Sequence, residues 1–229
     1  MKELVITSNQ YNEIDEAPEW LEMVKKITDK IIVVDSGSTD GTIEFYEKNK
    51  VVVIVDDIIR REGYGPARNH LRELSKRFFP ESHWMLFLDA DERINEDEFH
   101  QLRFVKDYLV PEYDVVAFPR IDWHDRKMIK AENDWRISPD WQARMTRLNS
   151  PLKYVRKIHE QVIDFKRIYG VLTNPKINHF HRPASQEKRD LVGKLCAKLH
   201  KEDEIYGSSV PKHHKEDMYY ERYLKEGLD

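Results

Sequence analysis

Trp84-Met85-Leu86-Phe87-Leu88-Asp89-Ala90-Asp91-Glu92 is the stretch that decides the fold. An unbroken apolar run reads as a strand buried on both faces, and such strands belong to parallel α/β sheets. At its carboxyl end stand two acids, Asp89 and Asp91, with Ala90 between them. Open α/β sheets bind their ligands beyond the carboxyl ends of strands, so these acids stand where chemistry is expected. Hard oxygen ligands so close together suit Mg²⁺ or Mn²⁺ bridging to phosphate. The plainer reading is a strand end followed by helix-capping acids.

Working outward, the same alternation recurs on both sides. Leu4 to Ile6 predicts a first strand that ends at Thr7-Ser8-Asn9, and residues 17–28 predict a helix with Trp20, Leu21, Val24 and Ile27 on one side. Strands are expected at 31–34 and 51–55, with a helix from Thr42 between them. Gly63-Tyr64-Gly65 reads as a loop, with Pro66 in the first turn of a helix reaching Arg77. A helix is expected over 97–109 and strands at 115–118, 142–148 and 161–163. Two closing helices follow, near 185–204 and 212–225. The pattern specifies an α/β fold with a mainly parallel sheet flanked by helices. With no repeat or Gly/Ser linker, residues 1–229 read as a single domain. A nucleotide-type half covers about 1–110, and a half that supplies specificity covers about 111–229.

Composition narrows the function classes. The 229 residues carry 35% charged and 11% aromatic side chains, a solvated surface around a real core rather than a disordered chain. A net charge of -4 provides no global attraction to nucleic acid or anionic membrane. The lone Cys196 excludes an internal disulfide and a cysteine zinc cluster. Neither a signal-peptide pattern nor a membrane-length apolar run is seen, so a soluble, cytoplasmic protein is expected.

The segment Ile31 to Thr42, IIVVDSGSTDGT, is a second strand with chemistry at its end. Asp35 closes the strand, and Ser36 to Gly41 offer backbone N–H groups and hydroxyls, Ser38 among them, to a base or ribose. Neither a P-loop nor the G-x-G-x-x-G fingerprint is present. An ordinary strand–helix turn capped by Asp40 is the bland alternative.

Taken in order, Asn12-Glu13, the DSGSTDGT block, Gly65-Pro66-Ala67-Arg68-Asn69 and LFLDADE resemble a family 2 glycosyltransferase of the A-type fold. The turn block and Ile158-His159-Glu160 are similar to members that build lipopolysaccharide core and other surface glycans. The resemblance implies a nucleotide-sugar donor, most simply a UDP-sugar, with Mn²⁺ or Mg²⁺ as cofactor and usually inversion at the anomeric carbon. By the same resemblance Asp35 recognises the base, and Thr7, Asn9 and Glu13 line the nucleotide pocket from the first-strand loop. Arg68 lies near the phosphates, Asp89 and Asp91 form the D-x-D-like motif, and Asp91 is the direct metal ligand. The segment Ser8 to Glu13 departs from the commoner T-x-Y-N-E by being longer, which loosens the match of Asn9.

A departing diphosphate needs cationic stabilisation, and the attacking hydroxyl needs a general base. Glu160 is the first candidate for the base and Asp140 the second; the alternative is that Glu160 simply pairs with Arg156 or Lys157 on the surface. His179 and His181 share one face if their segment is a strand, and His179 is the candidate to complete the metal site. Either histidine also reads as an ordinary hydrogen-bonded side chain, and His213-His214 as a solvated face. Trp123, Trp135 and Trp141 among Asp122, His124, Asp125, Asp134 and Asp140 suit sugar rings or simply fill core. Arg144, Arg147, Arg156 and Lys157 suggest a basic strip toward the acceptor, or plain strand solvation.

The reading is therefore a metal-dependent transfer of one sugar to a hydroxyl-bearing acceptor, a glycan first of all. A nucleobase acceptor is possible in principle but is disfavoured by the net acidity. Two rival readings keep the fold. A sugar nucleotidyltransferase would require a Gly-rich basic N-terminal signature that is missing, and an inactive nucleotide-binding module has no need of Asp89, Asp91 and Glu160.

Overall fold

The computed structural model describes residues 2–123, 140–180 and 186–203. The first strand, β1 (Leu4–Gln10), lies between β2 (Ile31–Asp35) and β4 (Trp84–Phe87), parallel to both, and β3 (Val52–Val55) extends the sheet beyond β2. Next to β4 comes β7 (Asp140–Arg147), antiparallel, then β6 (Val115–Trp123), again antiparallel to β7. On the far side of β6 run β10 (Ile168–Gly170) and β11 (Ile177–Phe180), both parallel to it, and β5 (Glu92–Arg93) closes that edge against β11. The result is a nine-stranded, mostly parallel sheet. A separate hairpin pairs β8 (Lys153–Val155) with β9 (Gln161–Ile163).

Strand alternation divides the core into two layers. In β1, Leu4 and Ile6 face a layer with Trp20, Val24, Trp84 and Phe118, while Val5 faces the other with Leu71, Met85 and Phe87. The first layer is covered by α1 (Ala17–Lys25), α2 (Thr42–Lys48) and α5 (Phe99–Tyr108). Ala17, Trp20, Leu21 and Val24 are the buried residues of α1, the i, i+3, i+4, i+7 set that makes one helical face. Burying Trp20 and Trp84 completely contributes roughly 4–6 kcal/mol each, at about 25 cal/mol per Å² over about 150–250 Å² of side chain. The second layer is covered by α3 (Ile58–Glu62) and α4 (Tyr64–Phe78). A last helix, α6 (Gln186–Glu202), follows β11.

Several expectations change in detail. The first strand continues through Asn9 to Gln10, because its backbone stays paired with β2 as far as Asp35. Thr7 and Asn9 are therefore strand residues and not part of a loop. The first helix stops at Lys25, since Ile27 N–H bonds the Val24 carbonyl and tightens the last turn. Tyr64 and Gly65 are helical, with Gly63 at φ 97° just before them. The helix at 97–109 begins as a 3₁₀ turn, Glu96–Glu98. Short polar strands β5, β8, β10 and β11 and helix α3 were not foreseen: two to five residues carry too little periodicity. The expected helix at 212–225, with His213-His214, lies outside the described residues, as do His181, Trp135, His124, Asp125 and Asp134.

Candidate functional site

The carboxyl ends of β1, β2 and β4 open on one side, and two loops there are stitched together. Asp35 is fully buried. Its Oδ1 accepts the Gly37 and Ser38 N–H groups at 2.9 and 2.6 Å, and its Oδ2 accepts the Ser38 hydroxyl at 2.7 Å. A carboxylate has about four acceptor positions, so Oδ2 keeps capacity for a ligand N–H. Ser38 Oγ also accepts the Asn12 N–H at 2.7 Å, and Asn12 Oδ1 accepts the Thr39 N–H at 2.9 Å. Asp40 holds Thr42 and the Ile14 N–H, and Thr42 Oγ1 accepts the Glu13 N–H at 3.0 Å. The expected cap by Asp40 is not formed as such: Gly41 is the residue before α2 and carries no side-chain cap, and Asp40 accepts the Thr42 N–H from one residue further out. Glu13 thus touches this turn through its backbone. Beside these loops the Arg60 guanidinium lies 4.4 Å from the centre of the Tyr11 ring. Thr7 Oγ1 and Asn9 Nδ2, on one face of β1, are buried with no hydrogen-bond partner among the described residues. Orphaned polar atoms beside an open strand end suit a polar ligand.

Beyond β4 the chain makes a tight acidic turn. The Glu92 carboxylate accepts the Asp89 N–H, and the Glu92 N–H returns to the Asp89 carbonyl, both at 3.0 Å. Arg93 donates to the Ala90 carbonyl at 2.5 Å and to Glu16 Oε2 at 2.6 Å, pinning the turn from below. Asp89 and Asp91 are left about one-third exposed, at 36% and 35% of their side chains. Ala90 is buried between them.

Three arginines thread the acids into one network. Arg68 reaches from α4 over the Phe87 ring and meets Glu160 Oε1 with Nε at 3.0 Å and Nη2 at 2.9 Å. It also lies 3.5 Å from Asn9 Oδ1 and 4.0 Å from Asp89. Arg144 bonds Asp89 at 3.0 Å and the buried Glu92 at 2.5 Å. The pairing of β6 and β7 slips between Val116 and Ala117, leaving Arg144 as the extra residue of a β-bulge; bulges re-aim side chains in this way. Arg120 joins Asp140 at 2.9 Å to Asp122 and Glu92 at 3.7 and 3.9 Å.

Charge follows geometry. Burial pushes the Glu160 carboxyl up, but Arg68 and Arg144 outweigh it and hold it below the usual glutamate range. Burial dominates at Glu92 and raises it despite Arg144. For Arg144 the burial penalty is overcome by Glu92 and Asp89, so it stays firmly protonated. His179 sits between Asp122, 2.5 Å from Nδ1, and Asp91, 3.2 Å from Nε2. Burial alone would lower its pKa, yet those two acids raise it to about 10.

Among the described residues no three His, Cys, Asp or Glu side chains form a ready metal cage. The donor chemistry nonetheless fits a divalent cation. Asp91 and the Nε2 of His179 face each other, and a carboxylate on Nδ1 is the usual support of a ligating imidazole. Asp89 adds a further exposed oxygen.

Of the expected site residues, Asn9, Arg68, Asp89, Asp91, Glu160 and His179 come together, and Asp35, Ser38 and Glu13 line the adjoining turn. The surface pairing considered for Glu160 is not formed: Arg156 pairs with Asp203 and Lys157 with Glu202. Asp140 stands apart from Glu160, bound to Arg120 and Gln142. The basic strip is not formed either. Arg144 serves the acids, and Arg147 donates to the Tyr113, Leu109 and Val110 carbonyls while stacking on Trp84. Trp141 is 43% exposed, and Trp123 donates to Asn178. Sequence reasoning missed Glu92, Arg93 and Arg120. Adjacency to the D-x-D-like motif was the only signal for the first two.

Residues 5–168 match the family model for glycosyl transferase family 2. The chain belongs to that family. It is 27% identical over 174 residues to the SPbeta prophage-derived glycosyltransferase SunS of Bacillus subtilis, covering 74% of this chain and 37% of that protein. It is 30% identical over 101 residues to an uncharacterized glycosyltransferase of Rickettsia conorii, covering 44% of this chain and 32% of the other. The chain thus spans roughly a third of these relatives' length. Among solved structures, residues 1–349 of S. aureus TarS share the fold with a TM-score of 0.51 at 17% identity, over 98% of this chain and 71% of that one. A mycobacterial protein does so with a TM-score of 0.53 at 14% identity, over 86% and 75%. No helix among the described residues is long and apolar enough to cross a membrane.

Proposed function

We propose that this chain transfers a glycosyl group from a nucleoside-diphosphate sugar, a UDP-sugar first of all, to an acceptor hydroxyl with inversion. One observation carries the reading: an acidic turn with two carboxylates, each about one-third exposed, is tied by Arg68 and Arg144 to a separate, ionised Glu160. Family membership supports it. In this reading the Asp35–Ser38 turn and the buried, unpaired polar atoms of Thr7 and Asn9 hold the nucleoside, with Glu13 behind them. Asp91, Asp89 and His179 would hold Mn²⁺ or Mg²⁺, which supplies positive charge against the departing diphosphate. Arg68 and Arg144 add cationic charge beside the same acids. Glu160 takes the acceptor proton as the hydroxyl attacks the anomeric carbon. If Arg68 turns toward phosphate, Glu160 loses its cation and becomes the stronger base.

The test is release of nucleoside diphosphate from a panel of sugar nucleotides, with Mn²⁺, Mg²⁺ or EDTA, by the wild type and Asp91→Ala. Metal-dependent release from one donor, lost in the variant, is the expected result. Failure to bind any nucleoside diphosphate, with or without metal, would overturn the reading.

A further inference from the structure

Glu160 sits on a loop with an unusual degree of outside support. Arg156 and His159 both have positive φ, 75° and 52°, a conformation that non-glycine residues hold only when their surroundings impose it. One support is the start of α4. Tyr64 and Gly65 N–H groups donate to the Lys157 and Arg156 carbonyls at 2.7 and 3.0 Å. A Cβ on Gly65 would stand 2.4 Å from the Arg156 carbonyl oxygen, so only glycine permits the approach. The other support is the end of α6, beyond the stretch that matches the family. Asp203 accepts from the buried Arg156 at 3.2 Å, Glu202 from Lys157 at 2.7 Å, and the His200 ring lies 5.1 Å from that of His159. Lys198 on the same helix end donates to the Arg60 carbonyl of α3.

We infer that the end of α6 is a positioning element for the base loop, acting through the Asp203–Arg156 and Glu202–Lys157 pairs to keep Glu160 against Arg68. The inference rests on Glu160 being the base. Three of the loop's five residues, 156, 157 and 159, meet the end of α6 and the residue that follows it. Asp203 and Glu202 are positioning residues; they touch neither Arg68 nor Glu160.

The experiment follows the Glu160 side-chain carboxyl by ¹³C NMR titration in the ligand-free full chain, assigned by its loss in Glu160→Gln. The charged and titratable groups facing it are Arg68 and Tyr64 of α4, Arg144 of β7, Tyr154 of β8 and, through Arg68, Asp89. In Glu202→Lys and in Asp203→Asn the midpoint is expected to rise toward that of ordinary glutamate, with faster amide exchange at Tyr64 and Gly65. The double exchange Lys157→Glu with Glu202→Lys should return both readings to the wild-type values. A direct charge effect of the new lysine would move the midpoint down instead, so the sign separates positioning from simple electrostatics. Unchanged or lowered midpoints in folded Glu202→Lys would overturn the inference, whether or not Asp203→Asn folds. Because no substrate is present, this result is independent of the transfer assay. A Glu160→Gln enzyme that still transferred sugar at full rate would instead overturn the base assignment.

Discussion

Arg68 is the residue on which the site's electrostatics turn. It is almost fully buried, stacked on Phe87, and answers Glu160 with two N–H groups. Glu160 titrates below its ordinary value in the folded chain, so its ionised form adds stability above the unfolded pKa, and that share is lost only as pH falls through the lowered folded value. The same window applies to the base role proposed for it. The kcat/KM profile, which reports the free enzyme, should stay flat down through the ordinary glutamate range and fall only below it. In Arg68→Met the acid limb should move to higher pH, and stability should drop by on the order of 3 kcal/mol because a carboxylate loses its buried partner. A pH–rate series and a urea titration on the two proteins check both. At this scale the D-x-D-like acids, Asp35 and Arg68 were legible because local motifs carry them. Arg120 and Glu92 were not, and Asp122 was read only as a neighbour of Trp123, because their meaning arises only when β5, β6 and β7 meet in space.

At the level of elements, the parallel half was readable because each of its strands contains an apolar run of three or more residues. Ile31 to Val34 are all buried, as such a run requires. The second half was harder to read because β8 to β11 have only three or four residues each and its key feature is a bulge, which no hydrophobic period reports. The close packing of α4 on the 156–157 backbone yields a sharp prediction. Gly65→Ala should destabilise the chain by about 1–3 kcal/mol and loosen the Glu160 loop, seen as a lower urea midpoint and faster exchange of the Tyr64 amide. The two stitched loops give a gentler one. Ser38→Ala removes the hydroxyl that joins Asp35 to Asn12, and should cost about 1 kcal/mol of stability while weakening nucleoside diphosphate binding in calorimetry.

For the whole molecule, a double-layered α/β core carries a rim where acids and arginines are concentrated at strand ends. Such a rim is costly to the empty protein and pays only when a ligand of matching charge arrives. A nucleoside diphosphate with Mn²⁺ should therefore raise the melting temperature, equivalent to about 2.7 kcal/mol at a hundred times its Kd, and Asp91→Ala should erase the metal-dependent part. The α/β class and the order of its main elements were legible in the sequence, because alternating apolar strands and amphipathic helices leave few arrangements. The pairing of α6 with the 156–160 loop was not, since ion pairs distant in sequence leave no periodic trace. The proposed transfer depends most directly on Glu160. Single-turnover transfer by Glu160→Gln, with the donor found in the panel, should be slower by about 10²–10⁴-fold while nucleoside diphosphate affinity is unchanged. Equal rates in the two proteins would contradict it.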